Sequence, residues 1–193
     1  MSMLIAGLLI FLATHSFRII APAWREATIA RIGRNAWRGG VSVLSIIGFV
    51  LLIKGYDAAR LTPVAIYEPP LWLRHVTVLL MFIAAVFAAA SLVPRNHIRA
   101  RMGHPLVLSV KTWAFAHLLA NGTLADLILF GGFLLWAVPD FISARRRDRA
   151  EGVVYPEGAL GNTLVTVVAG AVIWAVFVFY LHARWVGVAP IAM

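Results

Sequence analysis

Histidine is the residue type in this chain best suited to chemistry at membrane depth, and there are six: His15, His75, His97, His104, His117 and His182. Cysteine is absent, which excludes disulfides, thiolate metal sites, iron–sulfur clusters and covalent haem attachment. Any metal must therefore be held by nitrogen or oxygen. His117 lies inside the apolar run TrpAlaPheAlaHisLeuLeu at 113–119. An ionisable ring in such a run is costly in lipid and is usually kept for a task. With 1.5 Å of rise per residue, His117 falls roughly 18 Å from a helix start at Pro105, and His15 roughly 15 Å from a boundary near Arg25. Two imidazoles are thus expected near the bilayer midplane, at matched depth on separate helices.

Helical spacing puts Ala114 and Ala120 three residues either side of His117, with Trp113 and Asn121 four away. Small residues beside an imidazole leave space for a flat ligand, as a non-covalent b-type haem with one histidine on each side of the iron requires. Arg18, one turn from His15, would either snorkel to the inner boundary or neutralise an anionic group such as a haem propionate. His15 and His117 as metal ligands, with Arg18 and Asn121 beside them, form the candidate cofactor site. Two rival readings remain open. The histidines can hold helices together through hydroxyls and backbone carbonyls, or pass protons, although the apolar core lacks the carboxylates such relays use.

The other candidates are weaker. His75 and His182 form a second possible pair, near the outer surface where water removes the reason to bury a ligand. His97 sits in a basic loop and is expected to be solvated. His104–Pro105 resembles a helix start. Lys111, roughly 9 Å beyond Pro105, must snorkel, line a cavity or reach Asp140. Tyr155–Pro156–Glu157–Gly158 reads as a turn with no chemistry. No Ser–His–Asp order, glycine-rich phosphate loop or metalloprotease helix is present.

The elements that must position these residues are membrane helices. Of 193 residues, 62% are hydrophobic and 13% charged, with a mean hydropathy of +0.88, against about 25% charged in soluble domains. Apolar runs fall at Met3–Ala21, Val41–Ile53, Leu71–Val93, Pro105–Ala120, Leu124–Phe141 and Leu164–Val186, to be compared with the ~20 residues a spanning helix needs. The second is short and must recruit Gly39–Gly40 or Lys54–Tyr56. The fourth and fifth are separated only by Asn121, Gly122 and Thr123, which predicts a tight helical hairpin. The expected fold is an all-α polytopic transmembrane helical bundle of about six spans, with five as the alternative, in a single domain over 1–193. The first run is read as a retained helix rather than a signal peptide, because its start carries no positive side chain and His15 and Arg18 interrupt it. Alanines at four-residue spacing, Ala84 with Ala88 and Ala85 with Ala89, suit close helix packing.

The net charge of +9 comes from 17 Lys and Arg against 8 Asp and Glu. Most of the cations fall in three expected loops: Arg25, Arg31, Arg34 and Arg38; Arg95, Arg99 and Arg101; Arg145, Arg146, Arg147 and Arg149. The positive-inside rule makes these loops cytoplasmic and both termini outward, with anionic headgroups of the bilayer as natural partners. Nucleic acid is excluded as a partner, since no water-facing surface interleaves basic and aromatic residues. No internal repeat supports a secondary transporter.

One resemblance covers most of the chain. GlyHisProLeu at 103–106 and TrpAlaPheAlaHisLeuLeuAlaAsnGly at 113–122, together with ThrHisSerPheArg at 14–18, resemble the NnrU family of bacterial membrane proteins. Its most specific part is AlaHisLeuLeuAlaAsnGly. The resemblance implies a multi-pass protein of the bacterial inner membrane, linked to nitrite and nitric oxide reduction in denitrification. A relative in plants, the zeta-carotene isomerase, is a haem protein, which implies that His15 and His117 are the ligands of a b-type haem. In the isomerase a cysteine lies three residues before the second histidine. Here that position is Ala114, so a thiolate switch is not possible. Three functions follow as expectations: a haem protein handling nitric oxide, a haem-dependent cis–trans isomerase of a polyene or other hydrophobic small molecule, and a non-catalytic assembly factor for membrane proteins of nitrogen-oxide respiration. Methyl transfer ranks last, because Gly103 precedes His104 where an Arg-His-Pro turn is wanted and the paired acidic residues are missing.

Overall fold

The computed structural model describes residues 1–191. Its elements, in order, are α1 (Ser2–Ile20), α2 (Pro22–Ile32), α3 (Arg34–Arg60), α4 (Trp72–Leu92), α5 (His97–Met102), α6 (Pro105–Ala120), α7 (Leu124–Ala150), α8 (Leu160–Val176), one π-helical segment (Phe177–Leu181) and α9 (His182–Val186). Five segments are long and apolar enough to cross a bilayer: Ser2–Ile20, Arg34–Arg60, Trp72–Leu92, Leu124–Ala150 and Leu160–Val186. The apolar α6 is shorter, at 16 residues. The chain is an all-α, multi-pass membrane protein of about six spans.

Two expectations about the connections change. The first basic segment is not a loop: Arg25 and Arg31 lie on α2, while Arg34 and Arg38 open α3, which recruits residues at both ends of the short apolar run. Arg145 to Arg149 likewise continue α7. Helix is the cheapest way to satisfy backbone groups as the chain leaves lipid, and arginine is a good helix former.

The helices gather into two compact units. One comprises Met1–Tyr67 and Gly122–Asp140; the other comprises Glu68–Asn121 and the chain from Phe141 onward. In the first unit α1 and α3 pack antiparallel through glycines. A Cβ on Gly7 would lie 2.5 Å from the Leu52 nitrogen, one on Gly48 would lie 2.8 Å from the Phe11 nitrogen, and one on Gly55 would collide with the Leu4 backbone. A step of three or four residues along α1 is matched by the same step back along α3, so one register holds across the contact. Small residues are buried, while Leu9 and Leu135 leave 65% and 79% of their surface exposed. That inversion suits a chain solvated by lipid, where close van der Waals packing replaces the hydrophobic drive.

The outer connection of this unit is pinned by backbone bonds: Leu124 N to Val64 O at 2.8 Å and Ile66 N to Gly122 O at 2.9 Å, with a bridge between Ala65 and Thr123. A Cβ at Gly122 would overlap the Tyr67 carbonyl. The short turn expected at 121–123 is therefore present and fastened to the segment before α4.

In the second unit α4 packs antiparallel on α6. Thr77 Oγ1 donates to Ala116 O at 2.9 Å, and seven residues on, Ser109 Oγ donates to Ala84 O at 2.7 Å. The opposite register step on the two helices is again equal. Helix α8 lies on the same α4, with Gly170 against the backbone of Val86 and Trp174 Nε1 donating to Val78 O at 3.0 Å. On α4 the fully buried small residues are Ala84, Ala89 and Ala90, rather than two clean four-residue pairs.

Candidate functional site

His15 stands on α1 in the first unit. A backbone carbonyl can only accept, so the 2.7 Å contact between His15 Nδ1 and Phe11 O places the ring proton on Nδ1 and the lone pair on Nε2. The Phe11 ring is 4.3 Å from the imidazole centroid, and the Trp136 ring meets it edge-on at 6.2 Å. Trp136 Nε1 is buried without a hydrogen-bond partner. A buried indole N–H with no acceptor is costly, and it makes the surroundings of His15 a place where an acceptor group would be held. Arg18 is exposed in the last turn of α1, where its charge suits the helix C-terminus.

His117 belongs to the second unit and sits in the last turn of α6. It is near a helix end rather than mid-helix, because α6 stops at Ala120 and is only 16 residues long. Its Nδ1 lies 2.9 Å from Trp113 O, the same arrangement as at His15. Asn121 caps the helix: its backbone N and its Nδ2 both donate to His117 O, at 2.9 and 2.8 Å. Asn121 thus acts on the backbone of His117 and fixes the turn that carries the ring. The structure places His15 and Arg18 together on one helix, and His117 and Asn121 together on another.

The Trp113 ring lies 5.3 Å from that of His117, and His182 stacks beside the His117 ring, with centroids 6.5 Å apart and planes within 20°. His75 and His182 were a possible second pair; the ring that His182 stacks on is His117. A π-helical segment, Phe177–Leu181, ends just before His182 and changes the direction in which α8 would have aimed it. His182 Nδ1 is 2.6 Å from Val188 O, so its lone pair is also on Nε2. Among the described residues no three His, Cys, Asp or Glu side chains converge as a metal cluster.

His15 and His117 each present an imidazole nitrogen, the kind of ligand that a non-covalent haem would take. Both His15 and His117 hold Nδ1–H on a backbone carbonyl, a bond that orients a ligating histidine and raises its basicity.

Other side chains that sequence reasoning missed or misjudged now have defined partners. Asp126 is buried, and it closes a capping box at the start of α7. Its Oδ2 accepts from Thr123 N at 3.0 Å and Thr123 Oγ1 at 2.7 Å, while Oδ1 accepts from Tyr56 OH at 2.5 Å. A carboxylate does therefore occur in the core, and Thr123-x-x-Asp126 was its readable signal. At the other membrane boundary, Asp148 Oδ2 meets His104 Nε2 at 2.9 Å and accepts from Tyr155 OH at 2.7 Å, with Arg145 at 3.5 Å. Partial burial and the bond to Asp148 push the Tyr155 phenol above its usual pKa. Tyr155 is thus part of a polar cluster, not a bare turn. His97 is not simply solvated: its backbone N and its Nδ1 engage Thr163 Oγ1 at 3.1 and 2.8 Å. Lys111 lies over the Phe141 ring, 5.2 Å from its centroid.

With the placement of both motif histidines defined, the comparison with known families is decisive. The chain matches the family model described as NnrU protein over residues 3–190. The chain belongs to the NnrU family. No curated protein and no solved structure matches it. The NnrU match runs through every helix described above, including α1 with His15, α6 with His117 and the segment carrying His182.

Proposed function

We propose that this NnrU-family protein binds a non-covalent b-type haem in the bacterial inner membrane and serves nitrite and nitric oxide reduction there. One observation carries the proposal: the two motif histidines, His15 and His117, share a tautomer set by Nδ1–H donation to the carbonyl four residues earlier, and that tautomer offers Nε2 for coordination. Ferrous haem iron binds nitric oxide strongly, and that is the chemistry such a group would supply. The chain's own residues orient each ring through its Nδ1–H bond, and at Trp136 hold out a donor beside His15.

The test is the absorption spectrum of protein purified in detergent from haem-replete cells. A Soret band of about one haem per chain is expected, lost in His15→Ala and His117→Ala. A colourless wild-type protein that stays colourless after incubation with hemin would overturn the proposal.

A further inference from the structure

Five residues of α5 and the turn before it build a cleft in the second unit that has no part in the histidine site. Its lining includes Pro94, Arg95, Asn96, Arg99, Tyr155 and Pro156, and its volume is about 240 Å³. Two cations line it and no carboxylate does. Among the described residues neither guanidinium forms an ion pair; Arg99 donates only to Ser91 O, at 3.3 Å. The nearby carboxylate of Asp148 is already engaged by His104, Tyr155 and Arg145.

The walls are fixed. Arg95 has φ 51°, the one non-glycine residue with positive φ among those described, a conformation that arginine adopts only at a cost. The turn is held there by Ala159 N donating to Arg95 O at 2.7 Å and Asn162 Nδ2 donating to Pro94 O at 2.9 Å. Asn96, fully buried, bonds Ala90 O, Val93 O and Arg99 N, which ties the start of α5 to the end of α4. Tyr155 is anchored through Asp148. Both arginines are thus displayed from a rigid frame, so little backbone entropy is lost on binding an anion between them.

The position of the cleft selects the anion. It opens two residues after Leu92, the end of a 21-residue apolar helix that by length crosses the hydrocarbon layer. That is headgroup level, on the side the arginine distribution assigns to the cytoplasm. We propose that Arg95 and Arg99 clamp the phosphodiester of an anionic phospholipid, guanidinium N–H groups donating to its non-bridging oxygens.

Native mass spectrometry of the full chain released from detergent micelles tests this, with phosphatidylglycerol, phosphatidylcholine and inorganic phosphate as probes. One phosphatidylglycerol per chain is expected to survive release. The bound fraction should fall about tenfold or more in Arg95→Gln and Arg99→Gln, recover in part in Arg95→Lys, and be unchanged in Arg31→Gln on α2. Unaltered tryptophan fluorescence in the variants keeps a lost adduct from being misread as misfolding. Equal loss in Arg31→Gln, or none in Arg95→Gln, would overturn the site. Retention of phosphate but no lipid would overturn the lipid assignment and leave a site for a soluble phosphate ester. Equal binding of phosphatidylcholine would show that net lipid charge plays no part and would overturn the proposal as well.

Discussion

The glycine contact between α1 and α3 supports a quantitative prediction about stability. In Gly48→Ala the new methyl carbon would sit 2.8 Å from Phe11 N and 3.1 Å from Phe11 Cα. Both are backbone atoms of a packed helix, so no side chain can swing aside. Restoring ordinary contact at about 3.5 Å requires the helices to part by about 0.7 Å, a gap that forfeits a quarter to a half of each pair contact of ~0.1–0.2 kcal/mol. Over the tens of atom pairs in an interface of this length the loss is about 1–3 kcal/mol, the usual cost of overpacking. Alanine's better helix propensity opposes this by up to ~1 kcal/mol. Gly39→Ala, on the same helix with nothing within 4 Å of its Cβ, isolates that propensity term. The difference between the two variants, measured by SDS titration in mixed micelles with far-UV circular dichroism, is expected to be about 1–3 kcal/mol. Equal stability of Gly48→Ala and Gly39→Ala would refute the packing argument, because it would mean that α1 and α3 do not approach at Gly48.

Further expectations follow from the other contacts. Thr77→Val removes the buried donor to Ala116 O and should destabilise the protein by about 0.5–1.5 kcal/mol in the same titration, with Thr112→Val, outside that bond, as the comparison. Gly122→Ala should perturb the 64–67 connection, since its Cβ would overlap Tyr67 O; protease sensitivity there should rise sharply. Tyr155, whose pKa is raised by partial burial and by Asp148, contributes stability that is complete below the ordinary tyrosine pKa of about 10 and is lost as pH rises through the higher folded value. Its phenolate absorbance should therefore appear at higher pH than for free tyrosine, and move back down in Asp148→Asn.

The all-α type and the count of about six spans were legible because a run of apolar residues has few alternatives in lipid. The capping pattern Thr123-x-x-Asp126 and the Pro105 helix start were equally readable, since both are local. What could not be read was anything depending on partners far along the chain. Asp148 hides among arginines, and its bonds to His104 and Tyr155 join residues 44 and 7 positions away. The antiparallel registers that seat Gly7, Gly48 and Gly55 depend on how two helices meet, which periodicity within one helix does not specify. The stacking of His182 on His117 was not legible, because the π-helical winding of Phe177–Leu181 changes the facing of every later side chain.

The histidines sort by what engages each ring, and the sorting narrows which of them can coordinate. His104 meets a carboxylate through Nε2 and His97 a hydroxyl through Nδ1, so both rings are committed to side chains. His15, His117 and His182 each place Nδ1 on a backbone carbonyl, which reserves Nε2 as the lone-pair nitrogen. The family motif accounts for the first two and says nothing of the third, yet His182 is the one whose ring stacks on His117. Substituting His182 by alanine therefore separates two roles that its ring would have toward the proposed haem. A stacking neighbour only steadies the His117 ring, so its loss should leave the band position unchanged while lowering haem retention. A ligand would be needed to hold the group at all, so its loss should abolish the Soret band as expected for His117→Ala, and the band would then survive in His15→Ala.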